Sequence, residues 1–264
     1  MEQVTVGATL CGRPKDVVQL AHLGNGIAEI TMQDTAAKNG FSPALIEGLG
    51  AAFRSVTQGE DYKVVILTGY GNYFLSGGTK EELMQLVSGT DTNAAAPVIN
   101  LLHLIVDCPI PVIAAMQGHG IGAGFVLGLH ADLVLLARES IYTTNFLKYG
   151  FTPGMGATLV VPAKFGPFLG AEMLYTARNY RGGELAQRGV TCPVLPRVQV
   201  LPAAREMAQA IADAPRTTLV KLKQTLTANT RATFYDQVAQ EMALLIATGQ
   251  QPEIAGRIES RSGR

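Results

Sequence analysis

The chain has 264 residues, of which 47% are hydrophobic and 16% are charged, a composition that supplies a substantial apolar core and excludes a disordered chain. Lys and Arg together number 21, as do Asp and Glu, so the net charge of zero gives no indication of a nucleic-acid surface. No apolar run is long enough to span a bilayer, and no signal peptide is expected. The three cysteines lie far apart and show neither metal-ligand spacing nor a disulfide framework, which fits a reducing cytoplasm.

Apolar patterning predicts strands that alternate with helices, followed by a helical C-terminal third. The predicted elements, in chain order, are a hairpin over 17–33, a helix over 41–56, a buried strand over 63–68, helices over 80–87 and 95–106, a buried strand over 111–116, a helix over 125–130, strands over 133–137 and 140–143, short helices within 155–190, and helical chain from Pro202 with breaks at 213–215 and Gly249. Ser42 is the predicted N-cap of the first helix, and Pro43 its first residue. Residues 88–94 are predicted to form a polar loop, and the last nine residues to be frayed. This order predicts an α/β fold with a parallel-rich sheet covered by helices.

Two glycine-rich segments, 69–79 and 117–124, follow the buried strands and lead into helices. This arrangement is expected to place backbone N–H groups without intrahelical partners at the carboxyl edge of the sheet. Such groups bind negative charge, and glycine lets a substrate oxygen approach the backbone without meeting a Cβ. The glycines could instead serve only the close packing of helix against strand. A dinucleotide site is not indicated, because the second segment lacks the spacing and the later acid, and no Walker lysine follows it.

Three motifs resemble the crotonase (enoyl-CoA hydratase/isomerase) superfamily: YFLSGGTKEEL, AAMQGHGIGAGFVLGLHADLVLL and YTTNFLKYGFTPGMGAT. The similarity extends from about residue 17 to residue 260. The stretches ILTGYGNYF, SGGTKE, PVIAAMQGHGIG and NFLKYGFTPGMGAT resemble one branch in particular, the decarboxylases of polyketide β-branching cassettes. The resemblance implies the crotonase spiral fold of ββα units, with a core over residues 1–200 and a C-terminal helical trimerisation region over 201–264.

The resemblance also implies an oxyanion hole made by the backbone N–H groups of Gly78 and Ala123. The alanine departs from the usual glycine, which keeps the N–H but adds a methyl group that narrows the pocket. The positions of the two hydratase glutamates hold Val126 and Phe146, and neither side chain can transfer a proton. Loss of CO₂ needs no base, only a stabilised dienolate and then a proton. The expected reaction is therefore decarboxylation of a 3-methylglutaconyl-type thioester on an acyl carrier protein.

The source of that proton stays open in the sequence. A histidine that the resemblance places in the C-terminal helix is replaced by Leu245. Lys80 follows Gly78 by two residues and could steer the substrate carboxylate or donate the proton, or it could be a solvated surface lysine. His119 lies in the second glycine segment and could face the pocket, or it could be a structural histidine bonded to the backbone.

Further candidate residues flank these positions. The predicted substrate-binding residues are Tyr73, Thr79, Val126, Asn145, Phe146 and Lys148. Structural roles are expected for His103, His130 and Asp132. Candidate contacts for an acidic carrier protein or a CoA phosphate are Arg54, Lys63, Arg216, Lys221 and Lys223.

The resemblance implies a homotrimer or hexamer, a phosphopantetheine-borne or CoA thioester substrate, and no cofactor, metal, nucleic acid or membrane partner. Two other functions stay open. The chain could be a double-bond isomerase or hydrolase that uses the same oxyanion hole on a CoA ester. It could also be a non-catalytic component of a synthase complex, because its set of candidate proton donors is incomplete.

Overall fold

The computed structural model describes residues 17–88 and 95–261. Its strands are β1 (Val18–His22), β2 (Ile27–Met32), β3 (Val64–Thr68), β4 (Tyr73–Leu75), β5 (Val112–Met116), β6 (His119–Ile121), β7 (Leu133–Ala137), β8 (Ile141–Thr143), β9 (Tyr180–Arg181) and β10 (Val194–Leu195). Its helices are α1 (Pro43–Gln58), α2 (Lys80–Ser88), α3 (Ala96–Val106), α4 (Ala123–Leu129), α5 (Phe146–Tyr149), α6 (Ala157–Phe165), α7 (Pro167–Thr176), α8 (Gly182–Gln187), α9 (Arg197–Ala212), α10 (Arg216–Gly249) and α11 (Pro252–Arg261). Most of the predicted polar loop, and Cys11, lie outside the described residues.

The larger sheet has the strand order β1-β2-β3-β5-β7-β10. Strands β1 and β2 form the predicted hairpin, with Leu20 opposite Ile30, and every other pairing in the sheet is parallel. Strands β3 and β5 are buried along their whole length, as expected for parallel strands covered on both faces. The predicted parallel-rich sheet is therefore confirmed.

A second sheet, of order β4-β6-β8-β9, was not predicted. The expectation that each glycine segment leads directly from a buried strand into a helix was wrong, because the short strands β4 and β6 lie within those segments. A Cβ on Gly118 would come within 2.5 Å of the backbone of Asn72 and Tyr73. Because Gly118 has no side chain, these two backbone segments can cross closely between the sheets. Within the described ranges, the unit of main-sheet strand, second-sheet strand and helix occurs three times, ending in α2, α4 and α5, which confirms the ββα spiral.

Two helices extend more than two residues beyond their predicted bounds. Helix α9 begins at Arg197 and contains Pro202 in its second turn, where a proline removes one backbone hydrogen bond but does not stop the helix. Helix α11 continues to Arg261, although this segment was predicted to fray. The i, i+4 pair Ile254 and Ile258 is 1% and 0% exposed, and this buried pair fixes the helix against the protein.

Both faces of the larger sheet are covered. The small residues Ala204, Ala208 and Ala212 of α9 pack against one face, where Ile66 and Ile113 belong to the same buried cluster. Arg205 of this helix forms a bidentate ion pair with Glu29, with both N–O distances 2.7 Å. The other face holds the main apolar core, to which helices α1, α3, α4 and α10 contribute. Among the described residues, no helix combines the length and apolar character that a membrane crossing requires.

Asp132, which is half-buried, and the buried Lys223 form an ion pair that links α10 to the sheet. The carboxylate accepts hydrogen bonds from the Val112 N–H at 2.7 Å and from Lys223 Nζ at 2.7 Å. Lys223 also donates to the Ile110 carbonyl and is only 5% exposed. The structural role predicted for Asp132 is confirmed, and the prediction of Lys223 as an exposed contact was wrong.

His130 follows α4 and is a buried neutral histidine. Its Nε2 lies 2.8 Å from the Met155 carbonyl oxygen, and since a carbonyl only accepts, Nε2 carries the proton. Its ring packs edge-on against Phe234. Burial lowers the pKa of His130 to about 4, which confirms its structural role.

We predict that His130 makes the protein less stable as the pH falls. Its folded-state pKa lies below the ordinary value of about 6.5, so between pH 6.5 and about 4 the unfolded chain binds a proton that the folded chain does not. This linkage reduces the free energy of unfolding by about 3 kcal/mol across that window. In urea unfolding at pH 7 and pH 4.5, His130→Gln should lose less stability than the wild type, whereas His22→Gln, at an exposed position, should lose as much. Equal losses in the wild type and His130→Gln would contradict the prediction.

Candidate active site

The site lies where β4 and β6 end side by side. These strands pair in parallel, with Tyr73 opposite His119 and Leu75 opposite Gly120. Parallel strands bring their carboxyl ends to the same edge of a sheet. The turn after β4 leads into α2, and the turn after β6 leads into α4. The two turns are therefore neighbours, although they are far apart in sequence.

The backbones of these turns are in direct contact through two glycines. A Cβ on Gly124 would lie 2.5 Å from the Leu75 carbonyl oxygen and 2.8 Å from the Gly77 nitrogen. A Cβ on Gly77 would lie 2.7 Å from the Ile121 carbonyl oxygen and 3.6 Å from the Ala123 nitrogen. Only glycine fits at such separations, and the amide of Ala123 lies beside the turn that carries Gly78.

Two backbone N–H groups at this junction have no acceptor among the described residues. Ala123 is the first residue of α4, so its N–H has no partner within the helix. The neighbouring Gly122 N–H donates to the Thr143 carbonyl at 2.8 Å, and the Thr79 N–H donates to Glu82. The amides of Gly78 and Ala123 remain free to bind an anionic oxygen.

Both residues line one cavity of about 540 Å³, a volume typical of small-molecule sites. Its wall is mainly apolar and is formed by Phe41, Pro43, Ile46, Leu83, Leu86, Pro97, Val98, Ile99, Ile121, Phe146, Phe151, Met155, Met242 and Leu245. The polar and charged side chains in the lining are Glu47, Ser76, Glu82, Gln85, Asn145 and Tyr149. The cavity therefore brings two backbone N–H groups without an acceptor into largely apolar surroundings.

Two of the six predicted substrate-binding residues, Asn145 and Phe146, line this cavity. The Asn145 Oδ1 atom would lie 2.5 Å from a Cβ on Gly122, which places the amide group beside the second turn. Phe146 is buried and packs edge-on against Phe151, with ring centroids 6.4 Å apart.

Val126, Tyr73 and His119 do not contribute to the lining. Val126 is fully buried in the core along α4. The rings of Tyr73 and His119 meet edge-on at 5.9 Å, and His119 Nδ1 accepts a hydrogen bond from the Ile141 N–H at 2.9 Å. Burial, together with the charges of Arg197 and Arg181, lowers the pKa of His119. This geometry gives His119 the structural role considered above, in which it links two strands of the second sheet.

The remaining predicted residues lie around the first turn and α5, outside the lining. Lys80 begins α2 and is exposed. Thr79 is half-buried and caps α2 through its side chain, because its Oγ1 accepts from the Glu82 N–H at 3.2 Å. Lys148 donates to Asn179 Oδ1 at 2.8 Å, so part of its hydrogen-bonding capacity serves the protein itself.

Glu82 is a site residue that the sequence analysis missed. Its Oε2 accepts a hydrogen bond from the Thr79 N–H at 2.7 Å, its side chain is half-buried, and it lines the cavity. Burial raises the pKa of Glu82, and hydrogen bonds from Thr79 partly oppose that shift. The spacing of Thr79 and Glu82 is that of a capping box, a pattern visible in the sequence.

Helix α10 completes the cavity and is fixed by a buried carboxylate. Met242 and Leu245 line the wall, so the position where the resemblance places a histidine presents a hydrocarbon side chain. Glu241, 3% exposed, accepts hydrogen bonds from the N–H groups of Gly156, Ala157 and Thr158 at 2.7, 3.0 and 2.9 Å, and from the Thr158 hydroxyl. This carboxylate caps the start of α6 and so holds α10 against the segment that carries the cavity residue Met155.

Comparisons with known proteins agree with this architecture. Residues 22–262 match the model of the enoyl-CoA hydratase/isomerase family. The bacillaene synthase decarboxylase PksI of Bacillus subtilis is 49% identical over 251 residues, which cover 94% of this chain and 98% of that protein. A carnitinyl-CoA dehydratase of Salmonella enteritidis is 29% identical over 198 residues, which cover 75% of this chain and 76% of that protein.

Two solved structures are similar in both fold and sequence. The ECH2 decarboxylase domain of CurF from Lyngbya majuscula superposes with a TM-score of 0.87 at 48% identity, covering 93% of this chain and 99% of that chain. A structure from a dehydratase/decarboxylase enzyme couple involved in polyketide β-branching gives a TM-score of 0.89 at 49% identity, covering 93% and 96%.

We predict that Gly124→Ala destabilises the protein through the contact between the two turns. The added Cβ must displace the backbone of Leu75 or Gly77, and such overpacking costs about 1–3 kcal/mol of unfolding free energy. The control is Gly256→Ala, in an exposed stretch of α11 where a Cβ meets no atom within 4 Å. It should be neutral or stabilise the helix by up to about 1 kcal/mol. Urea unfolding of both variants tests the contact, and a Gly124→Ala variant as stable as the wild type would contradict it.

Proposed function

We propose that this chain, which belongs to the enoyl-CoA hydratase/isomerase family, decarboxylates a 3-methylglutaconyl-type thioester carried on an acyl carrier protein. The observation that carries the proposal is the pair of free amides, Gly78 and Ala123, on one largely apolar cavity. Relatives about half identical along nearly the whole chain are called decarboxylases, and one of these structures belongs to polyketide β-branching.

The first step places the thioester oxygen between the two amides. The N–H groups of Gly78 and Ala123 donate to it, and the phosphopantetheine arm occupies the apolar cavity. The bond between the substrate carboxylate and its neighbouring carbon then breaks, CO₂ leaves, and the electron pair moves into the thioester as a dienolate. Negative charge develops on the thioester oxygen in this step, so each amide lowers the barrier by about 3–4 kcal/mol.

The apolar wall favours the same step. Phe146 and Leu245 present hydrocarbon to the cavity, where an ionised carboxylate loses hydration that it would keep in water. Departure as neutral CO₂ relieves that cost. The positions of the hydratase glutamates hold Val126 and Phe146, so the proton transfers of hydration have no group there.

The exposed ammonium of Lys80 supports a steering role for the substrate carboxylate. Lys80 opens α2 two residues after Gly78, and a cation near the site raises the local concentration of an anionic acyl group. This role remains a prediction for Lys80, as do substrate contacts for Thr79 and Lys148.

Carrier-protein contacts are proposed for Arg54 and Lys221, which are exposed. Two other candidates are engaged by the protein itself, since Lys63 Nζ donates to the Ala212 carbonyl at 2.7 Å and Arg216 Nε donates to the Tyr62 carbonyl at 2.9 Å. Those two residues, like Lys223, are therefore left out of the proposed contact surface.

Double-bond isomerisation is the second candidate, because Glu82 places one carboxyl group in the cavity and could carry a proton between two carbons. The two reactions differ in mass balance. Mass spectrometry of a carrier protein loaded with the glutaconyl group should show loss of one CO₂ on incubation with the enzyme. An unchanged mass with a moved double bond would favour the isomerase instead, and no change of any kind would overturn both.

We predict that Ala123→Pro abolishes most of the CO₂ release. Proline removes the N–H, but it is favoured at the first position of a helix, and the preceding Gly122 has no Cβ to clash with the ring. Loss of one oxyanion donor should lower kcat by about 10²–10³. Circular dichroism and the unfolding midpoint should stay close to those of the wild type. A folded variant with undiminished kcat would exclude this amide from the oxyanion hole.

We also propose a homotrimer, or a pair of trimers, in which the C-terminal helices contribute to the subunit contacts. Leu222 and Leu226 on α10 are exposed, as are Phe168 and Tyr175 on α7, and such apolar side chains are typical of surfaces that another subunit covers. Light scattering should give a particle of three or six times the 28.0 kDa chain mass. A 28.0 kDa particle would contradict the proposal.

A further inference from the structure

A proton must reach the dienolate after CO₂ has left, and few groups on the cavity wall can hold one. Among the described lining residues, the ionisable side chains are Glu47, Glu82 and Tyr149. Glu47 is exposed on α1, whereas Glu82 is half-buried. Glu82 is therefore the carboxyl group that the protein shields from solvent at the cavity.

The carboxyl group of Glu82 is held against the oxyanion turn by one of its two oxygens. Oε2 accepts the Thr79 N–H at 2.7 Å and lies 3.7 Å from the position of a Cβ on Gly78. Oε1 has no hydrogen-bond partner among the described residues. One oxygen is thus fixed by the helix cap, and the other is available to carry a proton next to the amide that binds the thioester oxygen.

The surroundings of Glu82 raise the pKa of its carboxyl group. Burial is the largest cause that raises the pKa of this carboxyl, and the charge of Glu81 adds to the shift. The substrate of the proposed reaction is itself a carboxylate, and a nearby negative charge raises the pKa of an acid further. An ionised Glu82 would also oppose the charge that develops on the thioester oxygen.

We propose that Glu82 is the acid that protonates the dienolate, an inference that rests on the proposed decarboxylation. The electron pair left by CO₂ is delocalised over the thioester and the adjacent double bond. The O–H bond of Glu82 breaks as a C–H bond forms at one end of that system, which gives the neutral enoyl thioester and the Glu82 carboxylate. A proton from water then restores the acid, so each turnover consumes one proton and releases one CO₂.

Other candidate donors are less well placed. His119 uses Nδ1 to accept from the Ile141 N–H and does not line the cavity. Lys80 is exposed and also lies outside the lining. Leu245 occupies the position where the resemblance places a histidine, and it offers only carbon to the substrate.

The test is Glu82→Gln, which keeps an oxygen to accept the Thr79 N–H but has no acidic proton. CO₂ and the enoyl product are measured separately in a single turnover of the carrier-bound substrate in D₂O, with the position of the deuterium and of the double bond read by mass spectrometry and NMR. We expect a CO₂ burst close to that of the wild type and product formation slowed by about 10²-fold. We also expect a mixture of double-bond positions, because water protonates without a fixed direction. The control is Glu60→Gln, at an exposed position outside the cavity lining, which should keep the wild-type rate and product.

Three outcomes would overturn the proposal: an unchanged rate and product, a loss of the CO₂ burst together with the product, or the mixed product appearing in Lys80→Met instead. If the wild-type enzyme itself releases no CO₂, the proposed function fails and not this assignment alone. If Glu82→Gln does not fold, Glu82→Asp keeps the acid but withdraws it by one methylene. Slow product formation after a normal CO₂ burst is then expected, and a normal product rate would count against Glu82.

Discussion

The site depends on one backbone contact, in which Gly77 and Gly124 bring two turns from different ββα units together. The contact requires the short strands β4 and β6, because their parallel pairing brings the carboxyl ends of both strands to the same edge of the second sheet. It also requires two positions without a Cβ, since any side chain there would meet a peptide group at less than 3 Å. With the turns so fixed, the amides of Gly78 and Ala123 would need no further ordering to bind the thioester oxygen of the proposed substrate. A preorganised pair of donors stabilises charge better than water, which must reorient.

The remainder of the protein encloses this pair in hydrocarbon, and a few buried polar groups hold the enclosure in place. Helix α10 supplies Met242 and Leu245 to the wall, but its position against α6 is fixed by the Glu241 carboxylate. A carboxylate that accepts several backbone N–H groups is satisfied without a counter-ion. The Glu241 carboxylate can therefore be buried next to the wall residue Met242, while the wall itself presents an apolar surface to the cavity.

The sequence predicted those features that depend on local pattern. Ser42 and Pro43 begin α1 as expected, with Ser42 accepting the Leu45 N–H, and the buried strands agree with their apolar runs. The second sheet could not be predicted, because strands of two or three residues carry no periodicity and form only when β4, β6 and β8 meet. The burial of Lys223 could not be predicted either. The sequence around a lysine on a long helix is the same whether the side chain faces water or a partner such as Asp132.

The motifs predicted which two turns meet at the candidate site, but not which side chains line the cavity. Gly78 and Ala123 followed from motifs, whereas the placement of His119 depends on the Ile141 N–H, which is near only in the folded chain. Glu82 could have been found from its capping box with Thr79, but that pattern ordinarily indicates a helix start and no more.

The distribution of polar groups around the cavity also limits the direction from which a proton arrives. On the side of α5 and α10 the wall presents the hydrocarbon of Phe146 and Leu245 together with the phenol of Tyr149, and a phenol is ordinarily a much weaker acid than a carboxyl group. On the side of α2 the wall presents Glu82, anchored by Thr79 beside the oxyanion donor of Gly78. In the proposed reaction the thioester oxygen of the dienolate is held at that donor, so an acid on α2 would lie on the same side as the bound oxygen. In the proposed reaction one helix start therefore serves twice, once for the amide that donates to the charge developing on the thioester oxygen and once for the carboxyl group that protonates the dienolate.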